Sequence, residues 1–166
     1  MLACLNDENV GFCRDLIRYG ADTSKAHLAL MHICSEFGDP EPEERFYTNL
    51  AHYREMLELL LELGVDVDSK DEEGLTPLAY VATKKIPRPG IVDLLLKHGA
   101  DPNAVGNDGR TVLMRVTRQN NPCRDVVSLL QDHGGDANAK DAQGRTALFY
   151  ACQRWTPAPH KRPRLT

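Results

Sequence analysis

The side chains of this chain best suited to specific chemistry are arginines: Arg110, Arg118, Arg145 and Arg154, in the C-terminal half. A guanidinium holds a carboxylate through paired hydrogen bonds, so such a set suits recognition of an acidic segment. Reaction chemistry has weaker support. His27, His32 and Cys34 bring metal-donor atoms close in sequence, but their spacing matches no common zinc template. There is no Gly-rich phosphate loop, no Gly-x-Ser-x-Gly and no His-Glu-x-x-His. No catalytic residue, cofactor site or metal site is assigned, and the chain is not expected to be an enzyme.

The elements that must carry these residues follow from a period. Gly-Leu-Thr-Pro-Leu at 74–78 returns as Gly-Arg-Thr-Val-Leu at 109–113 and Gly-Arg-Thr-Ala-Leu at 144–148, and Gly-Ala-Asp at 99–101 returns as Gly-Gly-Asp at 134–136. Both landmarks step by 35 residues. Two landmarks in one phase mean a single supersecondary unit repeated and stacked, which builds an open surface suited to binding.

Each unit reads as helix, loop, helix, turn. Leu30, Leu78, Leu113 and Leu148 share one position on a short first helix, and Thr76, Thr111 and Thr146 stand where a hydroxyl can cap it, with Pro77 next in one copy. The second helices end at Gly20, Gly64, Gly99 and Gly134. Four residues before those glycines stand Leu16, Leu60, Leu95 and Leu130, and eight before stand Phe12, Met56, Ile91 and Val126. With Leu59, Leu94 and Leu129 they form a buried helical stripe. Glycine after the last turn permits a left-handed residue, and His98 and His133 can cap free carbonyls.

This pattern resembles the ankyrin repeat, on the residues Asp71-Glu72-Glu73-Gly74-Leu75-Thr76-Pro77-Leu78 and Ile91 through Asn103, with degenerate copies on either side. The resemblance implies an all-α repeat solenoid: stacked antiparallel helix pairs with β-hairpin or turn connections, about three full repeats plus partial terminal ones. It also implies protein binding through hairpin tips and the concave face of the first helices. Carried onto this chain, those positions are Ser35 and Glu36; Lys70, Glu72, Glu73, Leu75, Thr83 and Lys84; Val105, Asn107, Asp108, Arg110, Arg118 and Gln119; and Lys140, Ala142, Gln143, Arg145, Gln153 and Arg154. The chain departs from the family in its period, usually 33 residues, with two extra residues between the helices near 86–89 and 120–122. Gly106 stands where Asp71 and Asp141 otherwise brace the turn, and Ala79, Met114 and Phe149 replace the family's histidine. His32, Tyr80, Arg115 and Tyr150 share a variable position.

The solenoid is expected over residues 1–155, followed by a basic, proline-containing, disordered tail at 156–166. Leu30 to Met56 spans 26 residues where Leu78 to Ile91 spans 13. The excess, an acidic insertion about 37–50, is expected to form an exposed loop around Phe37 to Arg45. The chain begins and ends inside a repeat, so exposed Phe149 or Trp155 would favour association through incomplete terminal repeats or a longer array.

Residues 1–74 hold 6 Lys/Arg against 17 Asp/Glu, a balance of −11, and residues 75–166 hold 14 against 7, a balance of +7, within an overall −4. A solenoid keeps its ends apart, so this gradient should orient a partner. Nucleic acid is not expected, for want of net positive charge and of a stacking platform. No stretch reaches the roughly 20 apolar residues of a membrane span. Five cysteines without a paired Cys-x-x-Cys, and no secretion signal, point to the cytoplasm; Cys34 and Cys152 read as small packed side chains. Lys161-Arg162-x-Arg164 is similar to a nuclear-import signal and adds the nucleus as a second location. Asn138 stands in a pattern similar to an asparaginyl hydroxylase target, against which stands a simple bracing role between hairpins. The function expected is a non-catalytic adaptor or scaffold; the alternative is a substrate-recruiting or regulatory segment of a larger assembly, such as a ubiquitin ligase or multidomain enzyme.

Overall fold

A computed structural model describes residues 11, 13–15, 19–20, 25–36, 43–85, 88–119 and 122–153, with side chains described throughout except at 36 and 43–52. Among them run helices α1 (Ala26–Glu36), α2 (Glu43–Glu62), α3 (Pro77–Ala82), α4 (Pro89–Lys97), α5 (Val112–Thr117), α6 (Arg124–Asp132) and α7 (Ala147–Gln153). The first helices form one row, α1 against α3, α3 against α5 and α5 against α7, while α2, α4 and α6 back them and α4 packs on α6.

Local chemistry sets the helix ends. The Thr76 hydroxyl accepts from the Ala79 amide at 3.3 Å and the Thr111 hydroxyl from the Met114 amide at 3.4 Å, while Pro77 opens α3 without an amide to satisfy. Gly64, Gly99 and Gly134 end the second helices at φ +72°, +90° and +89°, where any other residue would strain. His98 and His133 place Nδ1 at 2.9 and 3.0 Å from the carbonyls of Leu94 and Leu129, in the capping role expected.

The core is one continuous leucine-rich seam. Leu30, Leu78, Val81, Leu95, Met114, Val116 and Leu130 are fully buried, and Met56, Leu60, Ile91 and Leu113 nearly so. Leu129 is only partly buried at the edge of the stripe.

Three sequence expectations are corrected. Leu148 shares its repeat position with Leu78 and Leu113, at 0% and 3% exposure, yet is itself 70% exposed, and Phe149 is 44% exposed. Cys152 is likewise exposed, whereas Cys34 is buried. These residues lie on α7, which has no second helix beside it among the described residues. The loop expected around Phe37 to Arg45 gives way at Glu43, where α2 begins; no proline or glycine interrupts the chain from Glu43 to Leu63, so the added residues lengthen the helix to 20. Residues 37–42 lie outside the described residues.

The connections also differ from true hairpins. Among the described residues no β-ladder forms, and an isolated antiparallel bridge joins Val105 to Thr111. Each turn is closed by a backbone bond, from the amides of Asp71, Gly106 and Asp141 to the carbonyls of Leu75, Arg110 and Arg145 at 3.1, 3.2 and 2.9 Å, and side-chain carboxylates accept from further amides of the turn.

Leu95 is fully buried on α4, which packs against α3 and α6. Leu95→Ala is therefore expected to cost about 2–5 kcal/mol, measured by urea unfolding; a change near zero would show the wrong register.

Candidate functional site

The candidate face is built from turns held rigid by their own side chains. Asp71 Oδ1 accepts from the amides of Glu73 and Leu75 at 2.9 and 2.7 Å, while Oδ2 accepts from the Tyr80 hydroxyl on α3 at 2.6 Å. The last unit repeats the device. Asp141 Oδ1 accepts from the amides of Gln143 and Arg145, both at 2.9 Å, and Oδ2 from the Tyr150 hydroxyl at 2.5 Å and Arg145 Nε at 2.8 Å. One carboxylate thus closes the turn and ties it to the helix it precedes.

The unit between them solves the same problem with other residues. Gly106 replaces the aspartate and Arg115 replaces the tyrosine nine residues on. A Cβ at Gly106 would fall 2.3 Å from the Arg115 guanidinium, so the arginine fills the space of the missing carboxylate. Its counter-charge is Asp108, which also accepts from the Arg110 amide at 3.1 Å and pairs with the Arg110 guanidinium at 3.3 Å.

Successive turns are then bonded to one another. Lys70 Nζ donates to the Val105 carbonyl at 3.0 Å; Asn107 donates from its amide to Glu73 O at 3.0 Å and from Nδ2 to Glu72 O at 2.9 Å. The Asp101 amide donates to Asp68 Oδ1 at 3.0 Å, and the Asp136 amide to Asn103 Oδ1 at 2.7 Å, with Asn103 Nδ2 reaching Gly134 O at 2.9 Å. Gly74 is required at this contact: its φ is +74°, and a Cβ there would lie 2.5 Å from Asn107 Oδ1. Asn138 holds the position of Asp68 and Asn103 in the next unit and is exposed. At the other end of the first helices, Lys84 Nζ donates to Ser35 O and Gln119 Nε2 to Thr83 O.

These bonds divide the expected contact residues by role. Glu72, Glu73, Asn107, Asp108, Arg118, Lys140, Ala142, Gln143 and Gln153 are exposed. Leu75, Lys84 and Gln119 are half-buried, Leu75 against the core and the other two in bonds between units. Arg110 and Arg145 are also half-buried and engaged within the fold. Arg110 Nε donates to the Tyr150 hydroxyl at 2.9 Å, and both guanidinium carbons lie 5.2 Å from the Tyr150 ring centroid, within cation–π range. Arg154 and the side chain of Glu36 lie outside what is described. Sequence reading missed the tyrosine clamp; the signal was present in the nine-residue pairing of Asp71 with Tyr80 and Asp141 with Tyr150, exchanged jointly at Gly106 and Arg115.

Burial alone would raise the Asp141 carboxyl, but the bonds from Tyr150, Arg145 and Gln143 prevail and hold it well below the usual carboxylate range. Asp71 is lowered by the same balance, and its bond pushes the Tyr80 hydroxyl up to about 12. Among the described residues no group of His, Cys, Asp and Glu could hold a metal ion, and no helix is long and apolar enough to cross a membrane.

A repeat solenoid with a braced, side-chain-bearing edge defines a class of binding scaffold. The family profile for ankyrin repeats (3 copies) matches residues 1–105, 45–141 and 88–156. The chain belongs to the ankyrin-repeat family. Ankyrin repeats are generally protein-interaction modules, and the family is typically non-catalytic. No curated protein matches it.

A carboxyl lowered in the fold contributes its full stability above the unfolded value of about 3.9 and loses it as pH falls toward the folded value. Tyr150→Phe removes a donor to Asp141 and an acceptor for Arg110. It should cost about 1–3 kcal/mol at neutral pH and move the acid-unfolding midpoint, followed by circular dichroism, to higher pH. Unchanged stability and midpoint would contradict the clamp.

Proposed function

We propose that the chain acts as a non-catalytic adaptor or scaffold, holding a partner protein on its turn tips and on the exposed ends of its first helices. What carries the reading is the combination of a fixed backbone and outward side chains at the same residues. Glu72, Asn107 and Ala142 occupy equivalent tips; the first two are joined through backbone carbonyls and a side-chain amide, while the Glu72 carboxylate remains exposed. Such a surface binds without first being ordered, which lowers the entropic cost of association.

An acidic partner segment fits the cationic part of this face. Arg118 ends α5 and is exposed, whereas Arg110 and Arg145 act by supporting the tips around them. The exposed Leu148 and Phe149 support a further contact, with an apolar partner or a neighbouring repeat, through α7.

Affinity capture from lysate at low and high salt identifies the partner, and titration with that partner tests the face. Arg118→Glu combined with Arg154→Glu is expected to weaken binding and to flatten its salt dependence. Unchanged affinity would remove the acidic-segment reading.

A further inference from the structure

Positive charge collects in the sequence between the first and second helices. The loops joining first to second helices, 83–88 and 118–124 if the first residue of α6 is included, contain Lys84, Lys85, Arg88, Arg118 and Arg124 and no acidic residue. At the opposite edge, the turns at 63–76, 98–111 and 133–146 hold 9 Asp/Glu against 4 Lys/Arg. The solenoid is therefore polarised across its width as well as along its length. The 9-residue α4 separates the two edges by about 13 Å of helix rise. That exceeds the screening length of about 8 Å at physiological salt, so the acidic turns do not cancel the basic loops.

The described residues at these junctions are bonded from unit to unit. Lys84 reaches the Ser35 carbonyl of the preceding unit, and Gln119 reaches the Thr83 carbonyl. The Ser35 carbonyl that Lys84 meets is neutral, so that bond leaves the positive charge of Lys84 in place. Lys85, Arg118 and Arg124 are exposed along this edge, with Lys84 and Arg88 half-buried between them.

Helix stability does not account for the placement of all five. Lys84 and Arg118 follow the C-terminal ends of α3 and α5, where a cation meets the negative end of the helix dipole. Arg88 and Arg124 instead stand at the N-terminal ends of α4 and α6, where the dipole is positive and a cation is unfavourable. Asp125 offsets this in the first turn of α6. Burial lowers the pKa of Arg88. An anion laid along this edge would meet the cations and the two helix N-termini together.

Building on the acidic-segment reading above, we infer that the cationic part of the face runs past Lys84 and Arg118 onto Lys85 and Arg124, away from the turn tips, and that this loop edge takes an acidic peptide segment. A peptide fits better than nucleic acid because the edge spans two loops and carries no aromatic side chain for a base to stack on.

Fluorescence anisotropy with a labelled oligoglutamate peptide tests this on the full chain, with matched oligothymidine and phosphatidylserine vesicles as the rival anions. Lys85→Glu with Arg124→Glu alters neither a turn-tip residue nor Arg118, so its failure is distinguishable from failure of the reading tested by Arg118→Glu with Arg154→Glu. Peptide affinity is expected to fall at least about tenfold, with an unchanged thermal melt, and Lys85→Gln with Arg124→Gln should give an intermediate loss. Glu72→Lys with Glu73→Lys should leave binding intact. Absence of saturable peptide binding, insensitivity to the loop reversals, equal loss on changing the turn tips, or tighter binding of oligothymidine or vesicles would each overturn the inference.

Discussion

No unit of this chain can bury its own apolar face; each depends on its neighbour. Leu78 and Leu113, on equivalent helices, are removed from water by the helices behind and beside them, while Leu148 on α7 stays open to solvent. The same residue at the same repeat position thus takes opposite fates according to what is stacked against it. That dependence makes the seam from Leu30 to Tyr150 continuous and makes the molecule an extended array of units. The turns between units inherit their placement from it.

Upon that seam the polar bonds do a different task. Burying apolar surface is non-directional and cannot fix where a turn points. The carboxylate clamps of Asp71 and Asp141, and the bonds from Lys70 and Asn107 to the neighbouring turn, supply the direction. They also consume cations. Arg110 and Arg145 sit on the face where a partner is expected, yet their guanidinium groups are held by Asp108, Asp141 and Tyr150. Exposed positive charge lies farther out, at Lys85 and Arg124 on the loop edge.

Much of the fold was legible because its rules are local. A glycine ending a helix, a threonine starting one, a histidine in the last turn and leucines at helical spacing each carry their meaning within a few residues, and the structure places Gly99, Thr111, His98 and Leu95 as those rules require. What escaped was non-local. Tyr80, Arg115 and Tyr150 looked merely variable until each was seen against the residue nine positions earlier. Exposure at Leu148 and Cys152 could not be read from their type, since it depends on a covering helix. The extended α2 was obscured by prolines that mark the start of the insertion but not its end. The candidate site followed the same division: its positions came from the period, and their roles came from bonds between units.

The central claim is that stability is shared across the stack. Native-state hydrogen exchange on Leu78→Ala measures this directly, by comparing amides in α3 with those in α5 and α6. Loss of a fully buried leucine in one unit is predicted to lower protection in the neighbouring helices as well as its own. Protection lost in α3 alone, with α5 and α6 unchanged, would show units that fold independently and would contradict the account.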